Sequence, residues 1–245
     1  MKDKVEISPV IQTVQNNVLF QDFLIFLRLL EKRPLELTRT GNLKIKEIKT
    51  LGKLFKHDIY FRDKQGKIMF QPRREDEFRY ILLIRQIAHV MNLVYKRKSK
   101  LYFSKNGKEY LNNIDEKTQY KQTVLWYFHR ANWAYLHPKE EVVEKLQRNQ
   151  KEIWSYLLRK EEWINFRKFS EGLSFIYKLS VKDIHGQEMP DSVHWAIESV
   201  LINNLEQFGL VKIKKKIDQY GINEIYSFRL TPTGKVILQE ALEPF

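Results

Sequence analysis

Two stretches of this sequence run in parallel. Residues 93–111 read LVYKRKSKLYFSKNGKEYL, and residues 210–238 read LVKIKKKIDQYGINEIYSFRLTPTGKVIL. Each begins Leu-Val, turns through a run of cations and returns through Tyr and Phe. Each then leaves by a Ser or Thr followed three residues later by Gly. Alternating strand formers around a basic turn predict a β-hairpin, and Ser104 or Thr231 before an apolar-periodic segment predicts a capped helix start, with Pro232 at the first helical position. A looser third copy, LTRTGNLKI, occupies residues 37–45. All three are expected to be strand-to-helix turns whose glycine relaxes the bend. A hairpin and one helix cannot bury their own apolar faces, so each long copy needs helices packed against it. In 245 residues that implies two similar domains.

The rest of the chain supplies those helices. Residues 19–32 have helical periodicity and stop before Pro34, and PLELT is a short extended run. Residues 42–56 are amphipathic, with Leu43, Ile45, Ile48, Leu51, Leu54 and Phe55 on one side and lysines mostly on the other. Residues 57–74 are a polar connection in which DKQGK suggests a small hairpin. Residues 75–92 predict a long helix with acids at its start. In the second half, residues 161–180 and 190–208 are predicted helices, the latter opening at Pro190 and Asp191. The expected fold class is mainly α (α+β), with domains at 1–115 and 161–245 joined by helices over 116–160. That centre is rich in tryptophan (Trp126, Trp133, Trp154, with Trp163 at its end). Core is the default place for these rings, a protein interface the alternative.

The order helix, strand, helix, helix, hairpin, with an LT-x-x-G-x-x-x-L type of exit from the last strand, resembles the tandem winged-helix proteins of bacteria, their plasmids and their phages. The likeness covers about residues 19–113 well and 160–243 less closely. It implies two winged helices, and it implies that a third helix meets the DNA major groove while the wing touches phosphate or the minor groove.

Charge agrees with a nucleic-acid partner. The formal net charge is +13; residues 1–115 hold 24 Lys+Arg against 13 Asp+Glu, and residues 116–245 hold 19 against 17. The excess is nearly all in the first half, the pattern of a one-sided polyanion-binding domain. The expected DNA-binding residues on or beside the 75–92 helix are Arg73, Arg74, Arg79, Arg85, Gln86, His89 and Asn92. Arg and Asn/Gln are the side chains that pair with base edges, although a helix this rich in Ile and Leu also suits a core. The hairpin adds Lys96, Arg97, Lys98 and Lys100, not all of which can face one phosphate chain because strand residues alternate.

The second half reads differently. Lys212, Lys214, Lys215 and Lys216 form a secondary basic strand, but Asp191, Glu198 and Glu206 on its third helix would repel phosphate. Trp195 and Ile202, seven apart, are expected on one side of that helix as a protein interface or homodimer contact.

Enzymatic chemistry has little support. There is no phosphate-binding glycine loop, no HExxH and no cysteine, which excludes disulfides and thiolate metal sites. Neither metal nor cofactor is expected. Arg130 and His137 match the spacing of the HEPN ribonuclease motif, a remote alternative weakened by Ala131 and Pro138. No run of 18 apolar residues suggests a membrane span, and no signal peptide is evident, so a cytoplasmic protein is expected. The main expectation is a double-stranded DNA-binding regulator or replication-associated factor. The alternative is a winged-helix protein-interaction module in a multiprotein assembly.

Overall fold

The computed structural model describes residues 9–60, 62, 63, 65–69, 73–137, 139–217 and 223–244. The fold is mixed α and β, with helix predominating and two three-stranded antiparallel sheets. It divides into two units. Residues 14–131 form the first, and the described residues from Asn132 onward, together with residues 9–13, form the second. The central helices are therefore shared out between the units.

Helix α1 (Pro9–Asn16) is followed by α2 (Val18–Lys32), which starts where the Asn17 side chain accepts a hydrogen bond from the Phe20 N–H at 2.8 Å. Its buried stripe is Leu19, Phe20, Phe23, Phe26, Leu27 and Leu30. The helix ends at Arg33, held extended (φ −161°, ψ 149°) before Pro34, as proline demands of its predecessor. Next come β1 (Leu35–Glu36), α3 (Ile45–Leu54), a 3-10 turn at Glu75–Glu77, and α4 (Arg79–Val90). Strands β2 (Val94–Arg97) and β3 (Lys100–Phe103) form the hairpin, with sheet order β1-β3-β2. Helices α5 (Lys105–Asn113) and α6 (Glu116–Arg130) close the first unit. Helix α4 packs against both α2 and α6, and Ile81 through Arg85, Ile87 and Ala88 are all buried.

The second unit repeats this order. It runs through α7 (Glu140–Arg148), α8 (Gln150–Leu158), β4 (Ile164–Asn165) and α9 (Phe166–Tyr177). Then follow α10 (Pro190–Ile197), a π-helical turn (Glu198–Ile202), α11 (Asn203–Gln207), β5 (Val211–Ile217), β6 (Asn223–Leu230) and α12 (Pro232–Glu240). Its sheet order is β4-β6-β5, the counterpart of β1-β3-β2. Trp133 and Trp154 are core residues with ring centroids 6.2 Å apart, whereas Trp126 and Trp163 are half-buried.

The recurrent turn has a specific cause. In the first unit the Ser104 N–H donates to the Leu93 carbonyl (2.9 Å), its hydroxyl donates to the Asn92 carbonyl (2.7 Å), and the Gly107 N–H donates to that hydroxyl (2.9 Å). In the second, Thr231 makes the same three contacts with Leu210 (2.9 Å), Gly209 (2.9 Å) and the Gly234 N–H (2.9 Å). Asn92 (φ 56°) and Gly209 (φ 71°) are the matching left-handed residues that end the preceding helix. The last strand is thus tied to the start of the first, and helix α5 or α12 begins against that junction. Its glycine is there for closeness rather than for a relaxed bend. A Cβ at Gly107 would sit 2.6 Å from the Leu93 carbonyl oxygen, and one at Gly234 would sit 2.0 Å from that of Leu210.

The copy at 37–45 behaves otherwise, against expectation. Leu37 and Leu43 form an antiparallel bridge around a turn with Gly41 at φ 92°, and α3 starts later, at Ile45, after Lys44, whose side chain supplies no cap. Here the glycine serves a left-handed turn.

A second repeat was not apparent from the sequence. In the connection after α3, Arg62 bridges Ile68 around Asp63, whose carboxylate accepts from the N–H groups of Gln65 and Lys67 (2.9 Å each), with Gly66 at φ 82°. After α9, Lys182 bridges Glu188 around Asp183, which accepts from His185 (2.8 Å) and Gln187 (2.9 Å), with Gly186 at φ 81°. The signal was the shared Asp-x-x-Gly.

The expected pairing of Trp195 with Ile202 fails. The π-helical turn between them inserts extra residues per turn and shifts the phase that a seven-residue spacing assumes. Trp195 is 43% exposed, its ring 4.6 Å from that of His137, while Ile202 is fully buried. Ile202→Asp is therefore expected to cost about 4 kcal/mol by burying an unpaired carboxylate and losing apolar packing. Trp195→Glu is expected to cost far less. Urea unfolding of both variants checks the contrast.

Candidate nucleic-acid interface

The β2–β3 hairpin has one face in the core, through Val94 and Leu101, and one outward. On the outward face Tyr95 stands opposite Tyr102, and their rings stack at 5.5 Å and 18°. The next pair on that face is Arg97 opposite Lys100, like charges side by side. Lys98 takes the left-handed position of the turn (φ 53°). Lys96 lies on the other face, where its ammonium approaches Gly41. Lys96, Arg97, Lys98 and Lys100 are all exposed, and they divide between two faces as strand alternation requires.

The turn at 38–42 flanks this hairpin. The Leu37 N–H donates to the Ser99 carbonyl at 2.8 Å, and Arg85 donates to the Gly41 carbonyl at 2.8 Å. Exposed Arg39 is thereby carried next to the hairpin lysines. Arg39, Tyr95 and Tyr102 were not among the expected site residues: Arg39 is brought beside the hairpin by the Leu37–Ser99 and Arg85–Gly41 contacts, and the tyrosines face each other through the β2–β3 register.

The expected base-reading helix is largely withdrawn into the core. Arg85 is 8% exposed and pairs with the fully buried Glu75 at 2.9 Å, so it is a structural cation rather than a base reader. Burial raises the Glu75 pKa, opposed by Arg85 and by the Leu43 N–H that it accepts at 2.6 Å. Arg85 lies one turn before His89 on α4, but its guanidinium is drawn inward to Glu75 and is not presented outward with His89. Asn92 is exposed, and its left-handed backbone serves the helix end. Arg79 and His89 are exposed and Gln86 is half-buried, leaving a narrow polar edge. Desolvation, then the Arg85 guanidinium, holds the His89 pKa below its usual value. Arg73 and Arg74 are exposed, but Arg74 lies 3.2 Å from Asp76 and 3.8 Å from Glu77, which offset its charge. On α3, Lys46 and the neighbouring Lys44 both bind Glu36, whose carboxyl they hold at about 2.

The basic strand β5 also divides. Lys216 lies 3.7 Å from Glu224. Lys215 lies near Glu198 and Glu206, whose pKa values are raised by burial and lowered in part by that lysine. Lys212 and Lys214 project outward, with the Lys214 ammonium 4.1 Å from the Trp163 ring centroid.

Both ring nitrogens of His137 are engaged. Nδ1 accepts from the Lys139 N–H at 3.1 Å, and Nε2 lies 2.9 Å from the Ser199 hydroxyl. His137 is 4% exposed and belongs to the second unit, whereas Arg130 ends α6 in the first. The spacing that suggested a ribonuclease pair thus spans two units and not one helix face. Among the described residues no cluster of His, Cys, Asp or Glu is placed to hold a metal ion, and no helix is long and apolar enough to cross a membrane. The chain matches no protein-family model, no curated protein and no solved structure.

Proposed function

We propose that residues 14–131 form a winged helix that binds double-stranded DNA through its β2–β3 hairpin, as part of a regulatory or replication-associated DNA-binding factor. The observation that carries this reading is the outward hairpin face. Like charges placed directly opposite each other destabilise a sheet, yet Arg97 faces Lys100 beside a stacked tyrosine pair, with Lys98 at the turn and exposed Arg39 in the flanking 38–42 turn. A phosphate backbone offsets that repulsion, and counterion release supplies the affinity. With Arg85 internal, α4 offers little to base edges. The contact is mostly with the backbone, and sequence preference is weak.

The test is affinity for a random-sequence duplex measured across salt concentrations. Replacing Lys96, Arg97, Lys98 and Lys100 with Gln is expected to lower the log–log salt slope by about 2 to 4, at roughly 0.9 per lost contact. Unchanged affinity and slope would remove the hairpin from the DNA surface.

A protein-interaction role for the second unit draws on other residues. Phe175 (87% exposed) and Ile184 (94% exposed) are large apolar groups left in solvent.

A further inference from the structure

We infer that the second unit carries its own nucleic-acid backbone site, built by Lys212, Arg229 and Lys235. This rests on the reading of the chain as a duplex-binding protein. It departs from the expectation that the polyanion-binding surface lies mainly in the first half.

The three cations come from β5, β6 and α12 and line an open groove of ≈ 400 Å³, shared with Pro232 and one acid, Glu161. All three are exposed, and none forms an ion pair among the described residues. One carboxylate against three cations leaves the groove positive. Lys212 stands directly opposite Arg229 across the β5–β6 hairpin, the same uncompensated like-charge arrangement as Arg97 and Lys100.

The two hairpins correspond pair by pair. Val94–Phe103 matches Val211–Leu230 as the first pair in each. The next outward pair is Tyr95–Tyr102 in one and Lys212–Arg229 in the other. The second hairpin therefore bears cations where the first bears stacked rings, and its aromatic group comes instead from Trp163, just before β4. The Arg229 guanidinium lies 4.8 Å from the Trp163 centroid and the Lys214 ammonium 4.1 Å. A guanidinium packed on an indole face is held in place while its in-plane N–H groups remain available to a phosphate. Cations spread over an open hairpin face, and not gathered at the bottom of a closed cavity, suit successive phosphates of a strand. Lys215 and Lys216, spent on acids, are outside the site. That is why the basic strand by itself is a poor guide to it.

The experiment uses the full chain and a random-sequence duplex, with circular dichroism and melting to establish folding. It compares the wild type, the Lys96/Arg97/Lys98/Lys100→Gln variant, the Lys212/Arg229/Lys235→Gln variant and the single charge reversal Lys235→Glu, which alters one exposed side chain. The triple variant is expected to lose about 2 to 3 from the salt slope, and Lys235→Glu about 1. If the triple variant and Lys235→Glu both bind as wild type while the first-hairpin variant weakens, this inference is overturned and the proposed function stands. If only the second-unit variants weaken binding, the inference stands and the first hairpin loses its role. A wild type that binds vesicles of anionic lipid but no duplex overturns both.

Discussion

Arg85→Gln is expected to destabilise the first unit by about 3–5 kcal/mol at neutral pH, because it leaves the fully buried Glu75 carboxylate without its cation. The effect has a pH signature. Burial already raises the Glu75 pKa above its ordinary 4.5 in the folded state, and the Arg85 guanidinium counteracts that rise. Removing the guanidinium raises the folded pKa further. A carboxyl whose folded pKa exceeds its unfolded value costs stability increasingly as pH climbs from the unfolded pKa through the folded one. The penalty is therefore small near pH 4 and grows as pH climbs toward 8. Urea unfolding of wild type and variant across that range measures it. A pH-independent change of a few tenths of a kcal/mol, together with lost duplex affinity, would instead make Arg85 a DNA contact.

Gly234→Ala is expected to cost the second unit about 3 kcal/mol or more. The added methyl would lie 2.0 Å from the Leu210 carbonyl oxygen and 2.9 Å from its carbonyl carbon. These are backbone atoms already fixed by the Thr231 N–H, so the clash cannot be relieved by turning a side chain. Gly107→Ala meets the Leu93 carbonyl oxygen at 2.6 Å and the movable Phe103 ring, and is expected to cost less. Gly66→Ala has open space around it, and its penalty comes only from φ 82°. Thermal unfolding of the three variants should place Gly234→Ala as the most harmful, ahead of Gly107→Ala and Gly66→Ala. Equal melting of Gly234→Ala and wild type would mean that the close approach of α12 to Leu210 is not present in solution.

Both hairpins, both capped helices that follow them and most of the apolar faces were legible in the sequence, because each is a local pattern of period, cap and turn. What was not legible depends on distant partners. Arg85 reads as an exposed cation until Glu75 is brought against it from the preceding turn. Ile202 reads as a neighbour of Trp195 because nothing in SVHWAIESVLINNLEQF announces a π-helical turn. The shared glycine of the strand exits was visible, but its reason, a carbonyl two dozen residues upstream in one copy, was not. The candidate site divides in the same way. The hairpin cations were evident from composition and alternation. Arg39 joins them only through the bridge at Leu37–Leu43, and Trp163 reaches Lys214 and Arg229 only through sheet pairing of β4 with β6.

Ultraviolet crosslinking of the full chain to a random-sequence duplex, followed by peptide mapping, tests the hairpin interface most directly. Tyr95 and Tyr102 stand among the cations of the outward face and are the groups positioned to form adducts. Adducts on the 95–102 segment, suppressed by the salt that dissociates the complex, are the expected result. Adducts confined to α4 at Arg79–Val90, with none on the hairpin, would show that the helix and not the hairpin meets the nucleic acid.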